Sequence, residues 1–524
     1  MMQQYMDIKK QYKDEILFYR IGDFYEMFFD DAMTASRELD LTLTGKQCGM
    51  EERAPMCGVP FHSYEGYVAR LIAKGYKVAI CEQVEDPAKA KGLVKRDIIR
   101  VVTPGTVIES SMLQDDRNNY IASIYLKGKK AGLCFADVST GTAHITELKR
   151  EKIAPAVIAA LCRYHPSEVL MNPGLLDCRE ITAYIKKNMN CAVELVEEER
   201  YAPGLVAISL ENQFGRDWAA KTGITEDGLV RFAMAALLEY LHDTQIKGVE
   251  RLKTVITYNE AQFMRLSQVT RANLELTETL RGREKRGTLL WVLDKTSTAM
   301  GKRMLRSWIE QPLISSAAIN RRLNAVESLV NQTMQRGDLI EQLHYIADLE
   351  RLMTRAVYGS ATPKEIYTMA QTCERLPELR AQAESCSCPE LTALAGQIDL
   401  LDDVKTAILA AIDPENERER IYGRGGMGAR GNETWLHAQK MPGSHVLIHT
   451  EGDVPESTLM QAAMLAAYYS KGVRSAQVPI DATLRRYIKK PGGTPAGFVT
   501  YTHQRTLYIT PSEAEIKKIE LLRE

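Results

Sequence analysis

The chain has 524 residues, enough for about three to four domains. Its charges nearly cancel, at a formal net charge of -1, so any contact with nucleic-acid phosphates has to come from local clusters of Lys and Arg. No apolar run of about 18 residues signals a membrane span, no signal-peptide pattern opens the chain, and the ten scattered cysteines form no C-x-x-C, so no zinc ribbon or disulfide framework is indicated and reduced thiols in the cytosol are expected.

In chain order, the first element is a hairpin. Two apolar, alternating runs, Ile16 to Ile21 and Phe24 to Phe28, flank Gly22-Asp23. Gly at the first position of a two-residue loop is a type II′ signal. Residues two apart on a strand face the same way, so Phe24 and Glu26 point together. A ring beside a carboxylate suits a wedge and a hydrogen-bond acceptor presented to a base step. The pattern also fits Phe24 and Phe28 in a core with Glu26 in solvent.

Asp30 to Leu39 reads as a helix with acids at its N-terminus, where the dipole favours them. Met56 to His62 reads as a loop, Tyr64 to Lys74 as a helix, and Val78 to Gln83 and Asp97 to Thr103 as strands. A second unit pairs strands Tyr120 to Tyr125 and Ala131 to Val138, then continues with helix Ile153 to Tyr164 and strand Glu168 to Met171. From about 250 to 413 the periodicity is helical, punctuated by Pro312 and Pro363. A charge run from Glu415 to Arg420 and the Gly-rich Gly423 to Gly428 follow, placing a boundary near Pro414. Gly423, Gly425 and Gly428 spell G-x-G-x-x-G, but no apolar strand precedes them, so the segment reads as a linker. The fold class expected is multidomain α/β: a mixed-sheet first domain, an α/β second domain, an all-α core and a small α+β C-terminal domain.

Four segments carry a family resemblance in the first domain: KDEILFYRIGDFYEMFF at Lys13 to Phe29, MCGVPFH at Met56 to His62, GYKVAICEQVEDP at Gly75 to Pro87 and RVVTPGTV at Arg100 to Val107. They closely resemble the mismatch-sensing domain of the DNA mismatch repair family MutS. GLCFADVSTG at Gly132 to Gly141 resembles that family's connector, RNase H-like in fold. RANLEL at Arg271 to Leu276, the stretch from Gly287 to Pro312, and Asp348 to Arg351 resemble its core. The resemblance implies a sensing domain over 1–110, a connector over 111–245 and a helical core over 246–413. It further implies that Phe24 intercalates at a mispaired base and that Glu26 accepts a hydrogen bond from it, with Pro60, Phe61 and His62 as a second DNA-facing segment. Mismatched or looped double-stranded DNA and a MutL-type repair protein are the implied partners, in a bacterial cytosol or nucleoid.

The family uses ATP and Mg in an ABC-type ATPase. No G-x-x-x-x-G-K-[ST] occurs in these residues; Gly301-Lys302 is followed by Arg303 and Gly45-Lys46 by Gln47. No cofactor and no ATP turnover are therefore expected of this chain. The family's dimer contact lies largely in the ATPase, so dimerisation is not counted on here.

The C-terminal residues carry a different resemblance. Thr434 to Val446, Ala462 to Pro479 and Val499 to Pro511 resemble the NFACT-R domain of bacterial RqcH/fibronectin-binding-like proteins, which act in ribosome-associated quality control. The expected layout is a linker over 414–430 and this domain over 431–524. Tyr469, Lys471 and Arg474, with Arg485, Arg486, Lys489 and Lys490, interleave basic and aromatic groups that suit RNA; a solvated helix face with Tyr in the core fits the same pattern. His437, His445 and His449 lack the Asp or Cys that completes a metal set, so no metal is expected. Two alternatives stand beside mismatch recognition: an RNA- or ribosome-binding module scaffolded by the first domains, and a fusion of two coding sequences without selected function.

Overall fold

A computed structural model describes residues 1–47, 53–85, 94–245, 248–412, 433–439, 446–448, 454–470, 477–484, 487–489, 500–512 and 516. The chain divides into two compact units, Met1–Ile412 and Asp413–Glu524.

The first unit begins with helix α1 (Met2–Lys9) and the hairpin of β1 (Ile16–Ile21) and β2 (Phe24–Phe28). Ile21 lies opposite Phe24 and Tyr19 opposite Glu26, so Gly22-Asp23 is the whole loop. Gly22 sits at φ +56° while Asp23 keeps a negative φ, as a II′ turn requires. Helix α2 (Phe29–Leu39), β3 (Thr44–Lys46), β4 (Ala54–Pro60), α3 (Tyr64–Ala73), β5 (Val78–Gln83) and β6 (Arg96–Val102) complete a mixed sheet of order β3-β4-β2-β1-β5-β6. Alternation splits its side chains between two cores. Ile16, Phe18, Tyr25, Met27 and Ile80 pack under α2 and α3, while Leu17, Tyr19, Phe28 and Cys81 pack under α1 around Tyr5. Asp31 ties the layers together: it accepts from Tyr5 Oη at 3.2 Å and Leu17 N–H at 3.0 Å, and pairs with Lys9 Nζ at 2.9 Å.

The loop expected over Met56 to His62 is instead strand β4 followed by a single 3-10 turn, Phe61–Ser63. Gly58 and Pro60 suggested a turn locally. Pairing on both sides overrides that signal, because β4 hydrogen-bonds to β2 and to β3. Pro60 is tolerated because it closes the strand.

The second sheet contains β7 (Ile121–Lys127), β8 (Lys130–Asp137) and β9 (Thr142–Lys149) as an antiparallel meander. β10 (Glu168–Met171) runs parallel to β7, and β11 (Ala192–Leu195) parallel to β10. β12 (Thr254–Thr257) adds to β9, so the sheet takes in residues beyond the expected limit of 245. Helix α4 (Ile153–Tyr164) and α5 (Arg179–Asn188) cover one face; α6 (Pro203–Phe214), the short α7 (Trp218–Thr222) and α8 (Val230–Gln245) belong to the other. At Gly132 the start of α8 comes so close that a Cβ would lie 2.3 Å from the Leu229 carbonyl carbon. Only Gly fits there. The two sheets are latched by Glu168. Its carboxylate is fully buried and accepts from Thr103 Oγ1 at 2.5 Å, Gly105 N–H at 2.9 Å and the Tyr240 hydroxyl.

From Gln268 to Ala411 the described chain is helical: α9 (Gln268–Asn273), α10 (Leu289–Leu293), α11 (Ala299–Glu310), α12 (Ser316–Asn331), α13 (Thr333–His344), α14 (Leu349–Val357), α15 (Pro363–Ser385), α16 (Pro389–Ala395) and α17 (Asp402–Ala411). Local chemistry sets the ends. Thr362 and Glu365 form a capping box that starts α15, with Pro363 at its first position. Asp348 caps α14 and also receives a two-pronged hydrogen bond from buried Arg303, both prongs at 2.7 Å. Many apolar side chains of α10 to α13 stay exposed, among them Trp291, Met304, Leu323, Val326 and Met334.

Among its described residues the second unit shows a four-stranded antiparallel sheet, a two-stranded ladder and a helix. β13 (Thr434–Ala438) pairs with β14 (Val446–Ile448) and β15 (Val478–Leu484), and β15 with β18 (Arg505–Ile509), while β16 (Ile488–Lys489) pairs with β17 (Thr500–Tyr501). Helix α18 (Glu456–Tyr468) packs Leu459, Ala463 and Ala466 against Leu436, Val478, Ile480 and Ile509.

Candidate nucleic-acid interface

The hairpin tip gathers the residues expected to face DNA. Phe24, Glu26 and Phe28 share one face of β2, and they part company in burial. Phe28 is 1% exposed beneath α1, whereas Phe24 is 47% exposed beyond its reach. The core reading therefore holds for Phe28 alone: Phe24 is left exposed, and Glu26 is covered rather than in solvent. Phe24 is flanked by Ile21 on β1 and Pro60 on β4.

Glu26 lies between these rings with its side chain largely covered. Its Oε2 is 2.6 Å from Lys46 Nζ, and the same ammonium stands 5.5 Å from the Phe28 ring centroid. Lys46 thus reaches along the sheet face, its stem passing the buried ring, to offset the carboxylate charge. The residue opposite Glu26 is Gly58, where a Cβ would approach the Tyr25 carbonyl oxygen to 3.2 Å and Glu26 Cγ to 3.6 Å. The missing side chain leaves room for Glu26 to lie against β4.

Pro60, Phe61 and His62 adjoin this face. Phe61 donates its N–H to the Asp23 carbonyl at 2.9 Å, so the end of β4 is bonded to the hairpin loop. Phe61 is 39% exposed and its ring is covered on one side by the Arg20 guanidinium, 3.6 Å from the centroid. Arg20 in turn approaches Glu82 Oε1 at 3.4 Å, which also accepts from the Tyr25 hydroxyl. Burial, with the Glu82 hydrogen bond, holds that hydroxyl well above its ordinary range. On the face that carries Phe24 and Glu26, Arg96 donates to the Arg20 carbonyl at 2.7 Å and lies over the ring of Tyr19, which is opposite Glu26. Lys46, Arg20 and Gly58 were not singled out by sequence reasoning. Each acts across strands that are distant in the chain, and the GK of Gly45-Lys46 drew notice only as a failed nucleotide motif.

Of the C-terminal candidates for RNA, Tyr469 and Lys489 are among the described residues. Tyr469 follows α18 at 51% exposure, edge-on to Tyr468 at 5.2 Å. His437 stacks on Trp435 at 5.6 Å. Lys489 is on β16. Lys471, Arg474, Arg485, Arg486 and Lys490, together with His445, His449 and the 414–430 linker, lie outside the described residues. Among the described residues, no helix is long and apolar enough to cross a membrane.

Comparison with known proteins bears on both ends of the chain. Residues 1–111 match MutS domain I, 119–253 match MutS domain II and 269–470 match MutS domain III. The domain III match thus runs into residues that sequence reading gave to an NFACT-R-like domain. The DNA mismatch repair protein MutS of Ruminiclostridium cellulolyticum is 45% identical over 415 residues, 79% of this chain and 47% of that protein. That of Lachnoclostridium phytofermentans is 44% identical over 415 residues, with 79% and 44% covered. That of Caldanaerobacter subterraneus is 37% identical over 531 residues, covering 99% of this chain and 58% of that protein. The chain spans about half the length of the curated relatives it matches.

Proposed function

We propose that this chain, whose residues 1–111, 119–253 and 269–470 match MutS domains I, II and III, recognises mispaired DNA in mismatch repair. Phe24 is the wedge and Glu26 the acceptor. The observation that carries the reading is an exposed ring beside a guarded carboxylate on an otherwise buried sheet face. Unstacking a base step costs on the order of a few kcal/mol, and least where pairing is already poor. A carboxylate repels every duplex and is useful only where a displaced base offers a donor, so it trades affinity for discrimination. Pro60, Phe61 and His62 contact the backbone beside the wedge. Fluorescence anisotropy with a G·T heteroduplex and its homoduplex tests the reading: preference for the heteroduplex is expected, and its survival in Phe24→Ala would falsify the wedge.

The same reading assigns these residues no ATP turnover, because the phosphate-cradling loop is absent from the 524 residues. Phosphate release by the purified chain overturns that assignment. A MutL-type protein is the proposed repair partner, in the bacterial cytosol or nucleoid. The β9-β8-β7-β10-β11 order supports an RNase H-like connector.

A second reading concerns the last hundred residues. A separate compact unit, rich in antiparallel strands where the preceding residues are helical, favours an NFACT-R-like RNA-binding domain. Retention of a stem-loop RNA by the full chain, lost on Tyr469→Ala, is its expected outcome.

A further inference from the structure

Where the first sheet, the second sheet and the helices meet lies a cleft of about 820 Å³. Neither Phe24, Glu26, Lys46 nor Phe61 lines it. Its size lies within the range of sites for small molecules.

The cleft is biased towards anions. Lys74, Arg117, Arg283 and Arg306 line it, against Glu278 and Glu310. Three of the cations are already engaged: Arg117 Nη2 is 2.6 Å from Glu278, Arg306 Nη1 is 3.5 Å from Glu310, and Lys74 Nζ is 2.9 Å from Glu38. Arg283 is not. Its guanidinium has no partner among the described residues, and its backbone is held at φ +50°. Arg rarely adopts that conformation without a compensating contact.

Two further groups wait for a partner. Tyr164 is 5% exposed and lines the cleft, yet its hydroxyl has no hydrogen-bond partner among the described residues. His165, next in sequence, is the C-cap of α4 at φ +44°. Its ring lines the cleft, exposed to solvent yet ringed by the charges of Arg117, Arg271, Arg306 and Glu278. A guanidinium fork, a phenol and an imidazole lining one cleft are groups that suit an oxyanion. Tyr120, edge-on to Tyr164 at 5.1 Å, gives the wall an aromatic surface for an organic body.

We propose that this cleft binds a small organic phosphate, with Arg283 clamping the phosphate and Tyr164 and His165 donating hydrogen bonds to it. The ligand bridges all three domains of the first unit, because its contacts come from Arg283 in the helical region, from Tyr164 and His165 in the second domain and from the wall around Lys74 in the first.

Isothermal titration of the full chain with ribose 5-phosphate, AMP, adenosine and inorganic phosphate tests this. A phosphate ester is expected to saturate below about 1 mM. Arg283→Asn, which tolerates the left-handed backbone, is expected to weaken it at least tenfold, and Tyr164→Phe about threefold, with the thermal midpoint unchanged. The proposal is overturned if neither ester saturates, if both variants bind as the parent does, or if adenosine or inorganic phosphate binds as tightly as the esters. No DNA enters the experiment, so its outcome is separate from that of the mismatch reading.

Discussion

The two six-stranded sheets of the first unit solve the same problem differently. The second sheet is covered on both faces, by α4 and α5 on one side and α8 on the other. The first is covered fully by α2 and α3 but only in part by α1, an eight-residue helix. Where α1 ends, the face continues into Phe24 and Glu26. The proposed function falls at the margin of a rigid core, where β2 is fixed by neighbours on both sides and its first side chain, Phe24, is exposed. The second sheet is exposed mainly at its edge strands β11 and β12, and its central strands β7, β8 and β10 serve as a buried frame.

The largest test of that contrast is Gly132→Ala. With backbone of Leu229 in the way, the variant is expected to lose about 3 kcal/mol or more, read as a shift in urea midpoint. An unchanged midpoint breaks the idea that the second sheet has no slack. Next comes Phe24→Ala. It is expected to lose about 1–3 kcal/mol of heteroduplex preference, the scale of one ring stacked on one base, while the thermal midpoint stays put because the ring is exposed.

Acid probes the buried frame again. His144, packed against Tyr120 and Tyr164, is pushed by burial from its ordinary value of 6.5 to about 4. The unfolded chain therefore binds the proton first. Stability from this group is intact above about pH 6.5 and is lost as pH falls towards 4, on the order of 3 kcal/mol in all. His144→Phe is expected to flatten urea midpoints across that window; an equal slope in both proteins removes His144 as the cause. The smallest effect is Glu26→Gln. Removing one negative charge is expected to tighten homoduplex binding by about 1 kcal/mol, measured by anisotropy at fixed salt. A looser homoduplex complex contradicts the role given to the carboxylate.

Much of this was legible in the sequence, and for identifiable reasons. Strict alternation either side of Gly22-Asp23 fixed the hairpin and the shared face of Phe24 and Glu26. Pattern could not tell Phe24 from Phe28, since both occupy the same parity; the difference is where α1 stops. Met56 to His62 was misread because Gly58 and Pro60 are turn formers in isolation, and the pairing that overrides them joins strands about thirty residues apart. The Lys46 partner of Glu26 was invisible for the same reason. The short β12 was submerged in a region whose dominant period is helical.

Asp31 makes the first nine residues part of the instrument. By holding Tyr5 and Lys9 against β1, it seats the Tyr5 ring 5.0 Å from Phe28 and edge-on to it. The N-terminal helix is thus the anvil on which β2 rests, and its removal would let the far end of that strand sink. Exposed Phe24 thus sits at one end of a strand whose other end, four residues further along the chain, is seated by a ring contact under that helix.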